Sequence, residues 1–91
     1  MSFEGLPGRD LVEQGLSDLR AGLCSIAALL VAIGAPRLHD LGVELPEGLP
    51  DDPEKRLYEL LAREDSDAAH SRYNALVRRL VSFERALACA G

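Results

Sequence analysis

DSDAAHSRYNALVRRLVSFERALA, residues 65–88, decides the fold. Ala69, Tyr73, Leu76, Leu80, Phe83 and Leu87 recur at alternating steps of four and three, the apolar seam of a helix packed in a bundle or coiled coil. Val77 and Val81 widen the stripe. Asp65, Ser66 and Asp67 supply a cap and negative charge at the start, and Arg78, Arg79 and Arg85 lie toward the other end, as the helix dipole favours. At 1.5 Å per residue, residues 67–88 reach about 33 Å. A globule of this length has a radius of gyration near 12 Å, so one helix must cross the whole domain.

Upstream, Asp52 and Pro53 open a shorter helix, with Glu54 in its first turn and Leu57, Tyr58, Leu60 and Leu61 as its apolar face up to Arg63. Residues 43–52 hold two prolines, a glycine and four acids, and read as an extended crossover that Leu45 and Leu49 pin to the core. Pro36 disfavours helical geometry at Ala35, and a short helix Arg37–Leu41 then ends at Gly42, with Leu38, Leu41 and Val43 inward. Ser25 caps a helix running to Ala35 whose residues 26–33 are apolar on every side. Such a helix sits at the centre of a domain or is shared between subunits. Few other elements exist in 91 residues to cover it, and a dimer is expected on that ground.

The first helix should start at Asp10, which stands at capping-box spacing from Glu13, and bury Leu11, Val12, Leu16, Leu19 and Leu23 before stopping at Ala21-Gly22. Gly15 either weakens this helix by roughly 1 kcal/mol relative to Ala or permits close packing. Residues 1–8 read as an irregular lead-in, with Phe3 or Leu6 tucked against the helix. The expectation is one all-α domain over residues 1–91, a small bundle of about four helices with one long crossover loop.

Hydrophobic residues make up 47% of the chain, enough for a folded core and too many for disorder. They are mainly Leu and Ala, strong helix formers. Net charge is −5, which argues against a general nucleic-acid binder. It is uneven: residues 40–70 set ten acids against three bases, and residues 71–91 set Arg72, Arg78, Arg79 and Arg85 against Glu84. The two regions offset each other within the fold or across a dimer, or the last helix meets an anionic partner. Cys24 and Cys89 are isolated and read as free, buried thiols of a reducing compartment. The longest apolar run is eight residues, far short of a membrane span, and no secretion pattern stands at the N-terminus, so a cytoplasmic protein is expected.

Phosphate-loop, dinucleotide and nucleophile-elbow motifs are missing from the sequence, and His39 and His70 make no metal-ligand set, so neither a metal nor a cofactor is expected. Arg63-Glu64-Asp65-Ser66-Asp67-Ala68-Ala69-His70 sets an arginine and a histidine with six residues between them. This spacing resembles the motif of the HEPN superfamily, small all-helical and often dimeric proteins, many of them RNases or partners of nucleotidyltransferases. The resemblance implies RNA cleavage from a dimer cleft, with Arg63 holding a phosphate and His70 moving a proton. Asn74 and Arg78 continue from His70 at steps of four as one polar stripe for an anion or RNA. By itself Arg63 also serves as a favourable charge at a helix C-terminus, with His70 an exposed side chain.

The primary reading is a non-enzymatic helical interaction module, a homodimer or a docking subunit, with Tyr73, Leu76, Leu80, Phe83 and Leu87 as interface candidates. The HEPN-like use of Arg63 and His70 is the competing one.

Overall fold

The computed structural model describes residues 3–90 and is all-helical among them. Five helices follow in order: α1 Arg9–Arg20, α2 Ile26–Ile33, α3 Ala35–Asp40, α4 Pro53–Glu64 and α5 Ala69–Ala90. Five helices form against a count of about four, and the short helix expected at Arg37–Leu41 is α3, which begins two residues earlier, at Ala35. Pro36 does not forbid this. It stands in the first turn of α3, where a missing N–H costs nothing. The Gly42 end is as read: its N–H donates to His39 O and that of Val43 to Leu38 O, burying Leu38 and Val43.

The centre is α2, with Ala27 through Ala32 all buried by the rest of the single chain. α1 packs on it most extensively, then α4, then α5. The close approach of α1 is made at Gly15, where a Cβ would collide with the carbonyl oxygen of Ala27 and with Val31 Cγ2. Of the two readings of Gly15, packing is the one the fold uses. The expectation that one chain could not cover α2, and the dimer argued from it, therefore loses its ground.

Ser25 caps α2 as expected, its Oγ accepting from Ala28 N–H at 3.1 Å while donating to Asp18 of α1. Elsewhere the caps differ from the sequence reading. α1 starts one residue before Asp10, on Gly8 at φ 76°, and its cap makes no side-chain hydrogen bond. A Cβ at Gly8 would stand 2.9 Å from Arg79 O, so glycine is required twice over, by conformation and by space. That left-handed turn lets the lead-in reach α5, where Phe3 meets Phe83 edge to face at 5.1 Å. Asp52 holds the cap position of α4 but lies at φ 48° without a side-chain cap bond. Before α5, Asp65 does the capping, its Oδ1 accepting from Asp67 N–H at 3.1 Å and Ala68 N–H at 3.3 Å. Leu23, expected on the apolar face of the first helix, lies past its end and is 55% exposed.

α5 spans 22 residues, about 33 Å, against a longest molecular extent of 38 Å and a radius of gyration of 12.7 Å. It crosses the domain as its period demands.

Candidate functional site

α5 is the element that carries nearly every residue singled out in the sequence. Its inner face is fully used. Ala69, Leu80, Phe83 and Leu87 are buried in the core of the single chain, while Tyr73 and Leu76 are half-buried. Of the five interface candidates, Leu80, Phe83 and Leu87 thus spend their apolar surface on α2 and its neighbours, and Tyr73 and Leu76 retain some.

Starting from Tyr73 of the seam, Val77 and Val81 follow at steps of four, and all three are half-buried. Tyr58 of α4 extends this row. Its ring centroid lies 5.9 Å from that of Tyr73, tilted by 58°, within the range of a favourable aromatic pair. Tyr58 is 40% exposed, so it belongs outside the apolar core face of α4 where the sequence reading put it. Leu57 and Leu61 take the core positions instead, both fully buried. The helical offset carries the signal: Tyr58 sits 100° round from Leu57, toward α5 and solvent.

The strip has unlike borders. On the α4 side, Glu54 shares a helix face with Tyr58, one turn away, and follows the acids Asp51 and Asp52. Glu54 approaches the strip closely enough that, after burial itself, its charge is the second cause pushing the Tyr73 phenol upward from its ordinary pKa. On the other side come Asn74, Arg78 and Arg85. Both arginines are exposed, and among the described residues neither has an ion-pair partner.

Arg63 and His70 belong to different helices, α4 and α5. Arg63 lines a shallow cleft of about 190 Å³ with Cys24, Leu29, Arg56, Glu59 and Leu60, on the α2 side of α4. His70 is exposed in the first turn of α5, where Asn74 Nδ2 stands 3.2 Å from its Nε2. With the amide as donor, that contact requires an unprotonated Nε2. Among the described residues no hydrogen bond or ion pair joins Arg63 to His70. The link between α4 and α5 is held instead by Glu64, which takes Arg72 Nη1 at 2.7 Å.

Both cysteines are exposed, a correction to the buried thiols expected. Cys24 lies in the α1–α2 link and Cys89 on the outer side of the last turn of α5, so neither reaches the core. Glu84 is the one charged residue buried among those described. Burial raises its pKa above the ordinary carboxylate range, and Arg37 pulls it partly back. No cluster of three or more His, Cys, Asp or Glu able to hold a metal occurs among the described residues, and no helix there is long and apolar enough to cross a membrane. No protein-family model, curated protein or solved structure matches the chain.

Proposed function

We propose that the chain is a small, non-enzymatic helical interaction module of the cytoplasm, working as a homodimer or as a subunit docked on another protein. The observation that carries this reading is the apolar strip Tyr58, Tyr73, Val77 and Val81, left partly uncovered between α4 and α5 after the core is complete. An aromatic pair at one end of a partly exposed apolar row with a charged rim is the kind of surface a protein contact uses. Exposed free thiols at Cys24 and Cys89 suit a reducing compartment.

The test is the pair of variants Tyr58→Ser and Val77→Asp, each at an incompletely buried position. Sedimentation velocity across the micromolar range, or co-purification of a tagged chain with a defined partner, reads the association. Both variants should keep the helical signal in circular dichroism and lose the complex. Complexes that survive both substitutions would place the contact elsewhere and refute the reading.

A further inference from the structure

Resting on that reading, we infer that the partner is a second copy of this chain, packed strip to strip about a two-fold axis, with the acidic start of α4 in each copy over the arginine row of α5 in the other. The argument begins with charge that the fold leaves unanswered. Residues 40–54 carry Asp40, Glu44, Glu47, Asp51, Asp52 and Glu54 and not one base. The exposed row on α5 carries Arg78 and Arg85. All four ion pairs among the described residues lie elsewhere: Arg9 with Asp10 and Glu13, Lys55 with Glu59, and Arg72 with Glu64. Acids and arginines are therefore not neutralised by direct pairing within the chain.

Their placement makes the surface complementary to itself. Glu54, one turn from Tyr58 and close enough to act on Tyr73, borders the apolar strip on the α4 side, and Arg78 and Arg85 border it on the other. Rotating a copy by 180° about an axis lying along that strip brings apolar row onto apolar row. The same rotation sets each acidic edge against the other copy's arginines. Every contact then occurs twice, as an isologous interface requires. A foreign partner would need to match a surface that this chain already matches.

The contact is small. With α5 about 33 Å long and α4 about 18 Å, the shared face covers roughly 550 Å² per copy, about 1,100 Å² in total, the low end of specific interfaces. Such a dimer is sensitive to salt, since exposed complementary charges are screened within about 10 Å at ordinary ionic strength.

Sedimentation velocity on the full chain tests this with two charge-reversed variants, Arg78→Glu/Arg85→Glu and Asp51→Lys/Glu54→Lys, all at exposed positions. The unmodified chain should dimerise at low salt and weaken roughly ten-fold or more at high salt. Each reversed variant alone should be monomeric, because like charges now face each other. Mixed in equal amounts, the two should form a heterodimer within about ten-fold of the original affinity, since both edges are again opposite in sign. A dimer indifferent to salt and to both reversals overturns the two-fold charge pairing while leaving the strip as the contact, which Tyr58→Ser then decides. Reversed variants that fail to pair on mixing overturn it too. A chain that is monomeric at every salt, or whose arginines retain an RNA oligonucleotide in place of a second copy, overturns the proposal outright.

Discussion

Replacing Gly15 with alanine should destabilise the protein, although alanine is the better helix former. In an exposed helix interior the change gains about 1 kcal/mol. Here the added methyl collides with the Ala27 carbonyl oxygen and Val31 Cγ2, and would stand 2.9 Å from the Ala27 carbonyl carbon. Two of those atoms are backbone of the buried α2, so no side-chain rotation relieves the contact. α1 must move off α2, loosening Val12 and Leu16 against it. Overpacking of this kind costs typically 1–3 kcal/mol, and a clash with backbone belongs at or above the top of that range. The net loss should be about 2 kcal/mol, a fall in melting temperature of roughly 8–16 °C for a domain of this size. Thermal and urea unfolding followed by circular dichroism measure it. Ser17→Ala, exposed on the same helix, is the control and should raise stability by a few tenths of a kcal/mol. A Gly15→Ala protein as stable as the original, or more so, would refute the close approach of α1 and α2.

Other substitutions test the remaining layers. Glu84→Gln should stabilise the protein near neutral pH: because burial raises the folded pKa of Glu84, its stability contribution is full below the unfolded carboxylate pKa and is lost as pH rises through the folded value. The gain in urea midpoint should vanish in acid; a loss at neutral pH would mean that the attraction to Arg37 outweighs burial. Leu80→Asp should unfold the chain outright, since Leu80 is 3% exposed in the core; a folded monomer would instead show that this position belongs to an intermolecular seam. His70→Ala should leave helicity unchanged and stability within about 0.5 kcal/mol, as for other exposed sites. Neither it nor the unmodified protein should degrade mixed RNA, and cleavage that depends on His70 would favour the HEPN-like reading over the interaction module.

What was legible in the sequence followed from period. The four-three spacing from Ala69 to Leu87 marks the core face of α5, and three of its larger members are buried as that spacing requires. The uninterrupted apolar run 26–33 likewise placed α2 at the centre. What period does not encode is distance between helices. Gly15 is ambiguous along the chain and becomes decisive only when Ala27 arrives against it. Caps were readable where a side chain does the capping, as at Ser25, and misread where backbone conformation does it, as at Gly8. Tyr58 was misplaced because its neighbours Leu57, Leu60 and Leu61 are apolar too, and an apolar residue one position off the stripe looks like a wider stripe. The charge imbalance is plain in composition, but whether acids and arginines pair depends on how the helices fold together.

The location of the candidate surface follows from how a short chain covers an apolar helix. α2 offers apolar surface in every direction, and large side chains on its neighbours would hold them too far away to enclose it. Glycine solves this at two points. At Gly15 it lets α1 close in, and at Gly34 a Cβ would meet Leu80 Cδ2 at 2.9 Å and Glu84 Oε2 at 3.1 Å, so α5 closes in as well. With Ala27 through Ala32 buried inside one chain, α2 keeps only the partly exposed Ile26 and Ile33 at its ends. What remains is at the periphery, where α4 ends after 12 residues while α5 continues for 22, leaving one flank of the longer helix without a neighbour of its own length. Tyr73, against Tyr58 of α4, begins the partly exposed row that Val77 and Val81 continue, with Glu54 near one side and the arginines Arg78 and Arg85 on the other. On the two-fold packing proposed above, self-contact falls at this edge and not at the centre of the fold, and its strength depends on charge and hence on salt.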